Sequence, residues 1–237
     1  MNPDRVAEFV RARELVLRRI GDAAARVGRD ASGVTLVAVS KTHPVEVVQA
    51  AIEAGLTELG ENRVQEAVEK VEGTHGGRWH LVGPLQANKA RRALEAVDVI
   101  QSVDSLELAR RLDRIAGEVR PGTRFPILLQ VNVADDPAKA GFEPDAVATA
   151  IAELLALPNL RVEGLMTIGR QATTAEEARP TFVALRELRD RLRAANPSLG
   201  AALSMGMTDD FEVAVEEGAT IVRVGRALFG ERPQPGA

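Results

Sequence analysis

Lys41 is the residue of this sequence best placed for chemistry. It follows the run Val34-Thr-Leu-Val-Ala-Val-Ser40, and Thr42, His43 and Pro44 come next. A short apolar, β-branched run of this kind reads as a strand buried on both faces. Pro44 suits the first turn of a helix. Lys41 therefore falls where a buried strand ends and a helix begins, the sheet edge on which α/β proteins build their sites. Desolvation there disfavours the ammonium form, and the free amine is a nucleophile towards carbonyl carbon. Four of the 30 basic residues are lysine, namely Lys41, Lys70, Lys89 and Lys139. A guanidinium cannot lose its proton, so arginine cannot stand in where an amine is needed. The plainer reading is a strand-end lysine that reaches to water.

A second set of residues lies near the C-terminus. Arg223 interrupts the apolar strand Thr220-Ile-Val-Arg-Val-Gly225. An arginine inside such a strand requires a partner or a ligand. Ala202-Leu-Ser204-Met-Gly206 and Gly225-Arg226-Ala227 are strand ends with glycine turns, the second opening a short helix. Barrels bind phosphate at such an edge through backbone N–H groups. An amine opposite a phosphate cup suits pyridoxal 5′-phosphate (PLP) held as a Schiff base. Arg223 would then face the pyridine nitrogen and keep it unprotonated, a weak electron sink. Gly206 and Gly225 read equally well as turn glycines. Asp209 and Asp210 read as helix-capping residues.

The elements that must position these groups alternate along the chain. A helix over 3–27, capped by Asn2, would turn Val6, Phe9, Val10, Leu17, Ile20 and Ala24 inward. Strands are expected at 34–40, 56–62, 79–84, 98–102, 125–133, 160–169, 202–206 and 220–225. Helices follow them at 44–54, 64–71, 87–97, 104–119, 144–156, 181–195, 208–217 and 226–229. Asp104 is expected to cap its helix, with Glu107 completing a capping box. Pro180 is expected to keep the 181–195 helix from starting earlier. Eight strand–helix units predict a single-domain α/β (β/α)₈ TIM barrel over 1–230, with an extra N-terminal helix and a frayed tail at 231–237. The strand ends would bring Lys41, His43, Asn62, Gly83, Ser102, Asn132, Met166, Ser204, Met207, Arg223 and Gly225 to one rim.

Composition excludes several functions. There is no cysteine, which removes disulfides and thiolate chemistry, and no tyrosine. Net charge is −4 and aromatic content 3%, so nothing recruits nucleic acid. No apolar run approaches a membrane span, and no secretion signal is seen, which predicts a cytoplasmic protein. The three histidines, His43, His75 and His80, are not spaced as metal ligands.

The blocks Val39-Ser-Lys41-Thr, Gly60-Glu-Asn62-x-Val-Gln-Glu66, Trp79-His80-x-x-Gly83-Pro-Leu-Gln86, Gly164-Leu-Met166, Leu203-Ser204-Met205-Gly206-Met207-x-Asp-Asp210 and Val222-Arg223-x-Gly225 resemble the pyridoxal phosphate homeostasis protein family. That family is similar in fold to the N-terminal barrel of alanine racemase. The resemblance implies PLP on Lys41 and Asn62 lining the cofactor. It also implies Ser204, Gly206, Met207 and Gly225 around the phosphate, and Arg223 at the pyridine nitrogen. The chain departs from the family pattern at Arg63, where tyrosine is frequent, and at His43, where lysine is frequent.

Two functions compete. One is intracellular PLP homeostasis or carriage, without dedicated turnover, by a monomer that passes PLP to apo PLP-dependent enzymes. The other is a PLP-dependent amino-acid racemase. Racemisation on the alanine racemase plan uses a lysine and an opposing tyrosine, and this chain has no tyrosine. Carriage is therefore the expectation. Lys139 offers a second amine near the rim, although it reads more simply as a solvated loop lysine.

Overall fold

The structure, a computed structural model, describes residues 3–134, 136, 139–169 and 173–230. The predicted Asn2 cap and the 231–237 tail lie outside these residues. Eight parallel strands close into a barrel in sequence order: β1 (Thr35–Val39), β2 (Glu58–Glu61), β3 (Arg78–Leu81), β4 (Val99–Val103), β5 (Phe125–Gln130), β6 (Leu160–Met166), β7 (Ala202–Ser204) and β8 (Ile221–Val224). β1 pairs with β8 from Thr35 opposite Ile221 to Ala38 opposite Val224, which closes the ring. The helices are α1 (Pro3–Arg26), α2 (Val45–Glu53), α3 (Val64–Gly73), α4 (Ala90–Ala96), α5 (Leu106–Val119), α6 (Pro144–Ala156), α7 (Ala175–Ala195), α8 (Phe211–Glu216) and α9 (Arg226–Phe229). The predicted barrel with an additional first helix is the observed architecture.

The pleat divides the strand residues between two cores. Outward positions such as Leu59, Leu81, Ile100, Ile127, Leu129 and Leu203 pack in one large cluster with the apolar faces of the helices. Each fully buried leucine or isoleucine contributes about 1.5–3 kcal/mol by leaving water. Val99, Leu128 and Met166 form a small separate cluster with Ala202 and Ile221 packed on it. Strand register puts these on the inner wall, because Gly164 lies opposite both Leu128 and Ala202.

Several local expectations are corrected. α5 is capped by Ser105, whose hydroxyl accepts the Leu108 N–H, and not by Asp104. This moves Glu107 into the first turn and leaves no capping box. α7 begins at Ala175, so Pro180 lies inside it. Its missing N–H removes one bond, that to the carbonyl four residues back, and the helix continues past it. α1 buries Val16 and leaves Leu17 exposed, since its stripe meets α8 and α2 slightly rotated from the predicted one. α3 buries Lys70 instead of a purely apolar face. No helix among the described residues is long and apolar enough to cross a membrane.

Candidate functional site

β1 delivers Lys41 through a tight turn. The His43 N–H donates to the Ser40 carbonyl oxygen at 3.1 Å, and Thr42 holds a φ of 69°. A β-branched residue adopts left-handed backbone at a cost on the order of 1–3 kcal/mol. The Glu66 carboxylate on α3 accepts the Thr42 N–H at 3.0 Å. Beneath the turn is a buried ion pair. Lys70 Nζ donates to Glu61 Oε1 at 2.6 Å and to the Ser40 carbonyl at 2.8 Å. Ser40 Oγ donates to the same Glu61 oxygen at 2.5 Å. Burial pushes the Glu61 carboxyl up, while the Lys70 charge opposes it. Ser40, the last apolar-run residue, is thus fixed by both its carbonyl and its hydroxyl, and Lys41 inherits that fixed origin.

The rim encloses a cavity of about 590 Å³ lined by Lys41, His43, Asn62, Met207, Arg223 and Gly225. Val39, Val82 and Ile168 supply apolar wall, and Thr208, Asp209 and Arg226 the outer edge. Five of the seven expected cofactor residues therefore share one space. Two glycines allow its walls to meet. A Cβ on Gly83 would fall 2.3 Å from the Asn62 carbonyl, and one on Gly225 would fall 3.2 Å from that of Val39.

Ser204 and Gly206 are not among the cavity-lining residues. Ser204 is fully buried, accepts from Arg223 Nη1 at 2.7 Å and donates to Gln101 Oε1 at 2.6 Å. Gly206 has φ +90°, and its Cβ would meet Ala214 Cβ at 2.5 Å. Its small size therefore serves packing against α8. Asp210 occupies the α8 N-cap position, but its Oδ1 accepts the Met207 N–H at 2.6 Å, which braces the 206–210 turn. Burial pushes its carboxyl up, and the Arg223 charge counters this. Asp209 pairs across the cavity edge with Arg226.

Arg223 is buried, and its Nη2 donates to the Thr167 carbonyl at 2.8 Å. Burial brings its pKa down to about 10, so it remains a cation at neutral pH. The His43 ring stacks on Phe229 with centroids 5.0 Å apart. Burial, then the charges of Lys70 and Arg5, hold the His43 pKa below its ordinary value, which favours the neutral imidazole beside Lys41.

Other expected rim residues serve the frame. Ser102 donates to the Gly83 carbonyl at 2.6 Å. Asn132 exchanges hydrogen bonds with the Asp136 backbone. Lys139 donates to the Ile168 carbonyl at 3.2 Å and to that of Gly169, and ion-pairs with Asp136. It is a latch between the ends of β5 and β6 and not a solvated side chain. Sequence reasoning missed Lys70, Glu61, Gln101 and Glu58, and named His80 without its place in the barrel interior. For Glu58, Glu61 and Gln101 the usable signal was a polar residue inside an apolar strand, the criterion that singled out Arg223; Lys70, on α3, gave no such signal. Among the described residues no cluster of histidine and carboxylate side chains could hold a metal ion.

Comparison with known proteins identifies the family and the fold. A family profile described as alanine racemase, N-terminal domain, matches residues 17–233. A pyridoxal phosphate homeostasis protein of Aquifex aeolicus is 42% identical over 92% of this chain and 95% of its own. The protein of that name in Escherichia coli K12 is 40% identical over 90% and 92%. Among solved structures, PipY of Synechococcus elongatus with PLP bound superposes with a TM-score of 0.78 at 41% identity, covering 89% of this chain and all of its own. Alanine racemase of Clostridium difficile, 19% identical, superposes with a TM-score of 0.71 over 92% of this chain and 60% of its own, a likeness of fold.

Proposed function

Because the chain belongs to the pyridoxal phosphate homeostasis protein family, we propose that it binds PLP through Lys41 and serves PLP homeostasis or carriage without dedicated turnover. The observation that carries this reading is the cavity that collects Lys41, Asn62, Met207, Arg223 and Gly225. Its donors suit the ligand. PLP supplies an aldehyde, a phosphate and a pyridine ring, and the cavity offers the Lys41 amine, the turns at Met207 and Gly225, and a buried guanidinium. Lys41 Nζ forms the C=N bond of a Schiff base, and the aldehyde oxygen leaves as water. Arg223 has N–H donors and no acceptor, so it holds a ring nitrogen in its unprotonated form. The contribution of Ser204 and Gly206 is to shape the phosphate edge from behind, through Arg223 and the 206–210 turn.

The test is the absorbance of the purified, PLP-loaded protein before and after borohydride, with the modified lysine mapped. A visible-edge band and reduction onto Lys41 are expected, with both lost in Lys41→Ala. An unchanged band in that variant would refute the assignment. The racemase alternative predicts loss of optical activity over a panel of L-amino acids. Efficient turnover there would replace carriage with catalysis, with the neutral His43 as the base to examine. A monomer, and transfer to apo PLP-dependent enzymes, complete the proposal. Sedimentation and reactivation of an apoenzyme by the loaded protein check them.

A further inference from the structure

Arg223 heads a file of hydrogen bonds that crosses the barrel interior. Register puts its members on the inner wall: Arg223 lies opposite Val37, Ser204 opposite Met166 and Ile221, and His80 opposite Gly60. Arg223 Nη1 donates to Ser204 Oγ at 2.7 Å, and Ser204 Oγ donates to Gln101 Oε1 at 2.6 Å. Gln101 Nε2 stands 2.8 Å from His80 Nδ1, and His80 Nε2 stands 2.6 Å from Glu58 Oε2. The file joins a cation at the cavity to a carboxylate at the first residue of β2, the opposite end of the barrel.

The directions follow from the guanidinium at the head and from the Gln101 amide, whose oxygen faces Ser204 and whose nitrogen faces His80. A guanidinium has no acceptor, so Ser204 accepts from Arg223 and passes its own proton to Gln101. The amide nitrogen of Gln101 then faces His80, and an amide nitrogen only donates. His80 Nδ1 is therefore bare and its proton sits on Nε2, where Glu58 accepts it. Hydrogen bonds in series polarise one another, most strongly in a dry interior. His80 and Gln101 are both buried.

We propose that Ser204, Gln101 and His80 are positioning residues that hold Arg223 towards a ring-nitrogen acceptor in the cavity. Gln101 takes the Ser204 proton, which turns a Ser204 lone pair to the guanidinium. Without that acceptor the Ser204 hydroxyl is free to rotate, and the guanidinium keeps its bond to Thr167 as its one fixed anchor within the file. The charged groups around His80 are Glu58 from β2, Arg78 from β3 at 3.8 Å from that carboxylate, and Arg223 from β8 through the file. The neighbours that register places beside it, Gly60 from β2 and Val99 from β4, carry no charge.

The ligand half of this inference rests on the proposed PLP cup, but the coupling along the file does not. In ligand-free protein labelled with ¹⁵N-histidine, His80 is expected as the Nε2–H tautomer with Nδ1 bare. Cutting the file in Ser204→Ala, or removing its cation in Arg223→Leu, is expected to mix the tautomers. The Ser204 variant keeps the test available if the arginine variant does not fold. An Nδ1–H tautomer in the parent, or a His80 signal indifferent to both changes, overturns the coupling. For the ligand, PLP retention by dialysis is compared at neutral pH between the parent and Gln101→Leu, which removes the acceptor of the Ser204 proton. The variant is expected to bind about tenfold more weakly, the scale of one buried hydrogen bond. Equal affinities overturn the positioning step. Absence of PLP binding in both proteins overturns the cup, and the tautomer measurement still decides the coupling.

Discussion

Lys70 Nζ lies 2.6 Å from Glu61 Oε1 and 2.8 Å from the carbonyl oxygen of Ser40, the residue before Lys41. Both charges are buried. A buried pair adds little net stability over an apolar pair, yet removing one partner strands the other. Lys70→Met is therefore expected to cost about 3–5 kcal/mol at neutral pH. Denaturant unfolding measures this, and the double variant Lys70→Met/Glu61→Leu should recover much of the loss.

The same pair predicts a pH signature. The Glu61 pKa is raised in the fold by burial, so the folded protein holds that proton more tightly than the unfolded chain does. Its contribution to stability is greatest below the unfolded carboxyl pKa and declines as pH rises through the folded value. Without the Lys70 charge the folded value climbs further. The Lys70→Met deficit should therefore be largest at neutral pH and shrink on acidification. A deficit that is constant with pH would show that Lys70 acts by packing alone.

His43 carries the opposite sign. Its folded pKa is depressed below the ordinary 6.5, so the unfolded chain binds the proton more tightly. Stability from this site is present above about 6.5 and is lost as pH falls towards the folded value. Thermal unfolding midpoints of His43→Gln should accordingly vary less than those of the parent between about pH 7 and 5. Identical pH profiles would remove His43 from this account.

Two glycines separate fold from cavity. Gly206→Ala combines a φ of +90° with a Cβ 2.5 Å from that of Ala214, and should destabilise the protein by roughly 2–3 kcal/mol. Gly225→Ala has φ −113° and a nearest contact of 3.2 Å. It should unfold close to the parent midpoint while loading PLP less well by absorbance. The reverse ranking would mean that the two turns have exchanged roles.

Lys139 donates to the carbonyls of Ile168 and Gly169. Borohydride trapping is therefore expected to label Lys41→Ala and Lys41→Ala/Lys139→Ala equally weakly. A label in the single variant that vanishes in the double one would make Lys139 a second amine for the ligand.

The barrel was legible because parallel strands buried on both faces read as unbroken apolar runs. Leu128 to Leu129 and Leu203 are examples, and helix–glycine punctuation separates such runs. Lys41 and Arg223 were legible for a related reason, as charges where an apolar run should continue or end. Lys70 was not, because Val64-Gln-Glu-Ala-Val-Glu-Lys70 has the spacing of a solvated helix face. What buries its ammonium is Glu61, on the preceding strand, a partner no periodicity names. The role of Ser204 depended on which inner-wall residue stood beside it. That is set by the register of β7 against β8 and by the reach of Gln101 across the barrel, and neither is local in sequence. The α7 start was misjudged by treating Pro180 as a barrier, although the loss of its single N–H bond leaves a 21-residue helix intact around it.

The pairing of β1 with β8, Val37 opposite Arg223, bears on how the protein is made. Lys41 leaves the ribosome well before Arg223, its partner across the cavity. Until β8 is released, the ring stays open and the lysine has no guanidinium opposite it. If Lys41 and Arg223 hold the ligand as proposed, capture becomes available only once β8 has closed the ring, and a product cut short before β8 exposes an amine with no guanidinium opposite it.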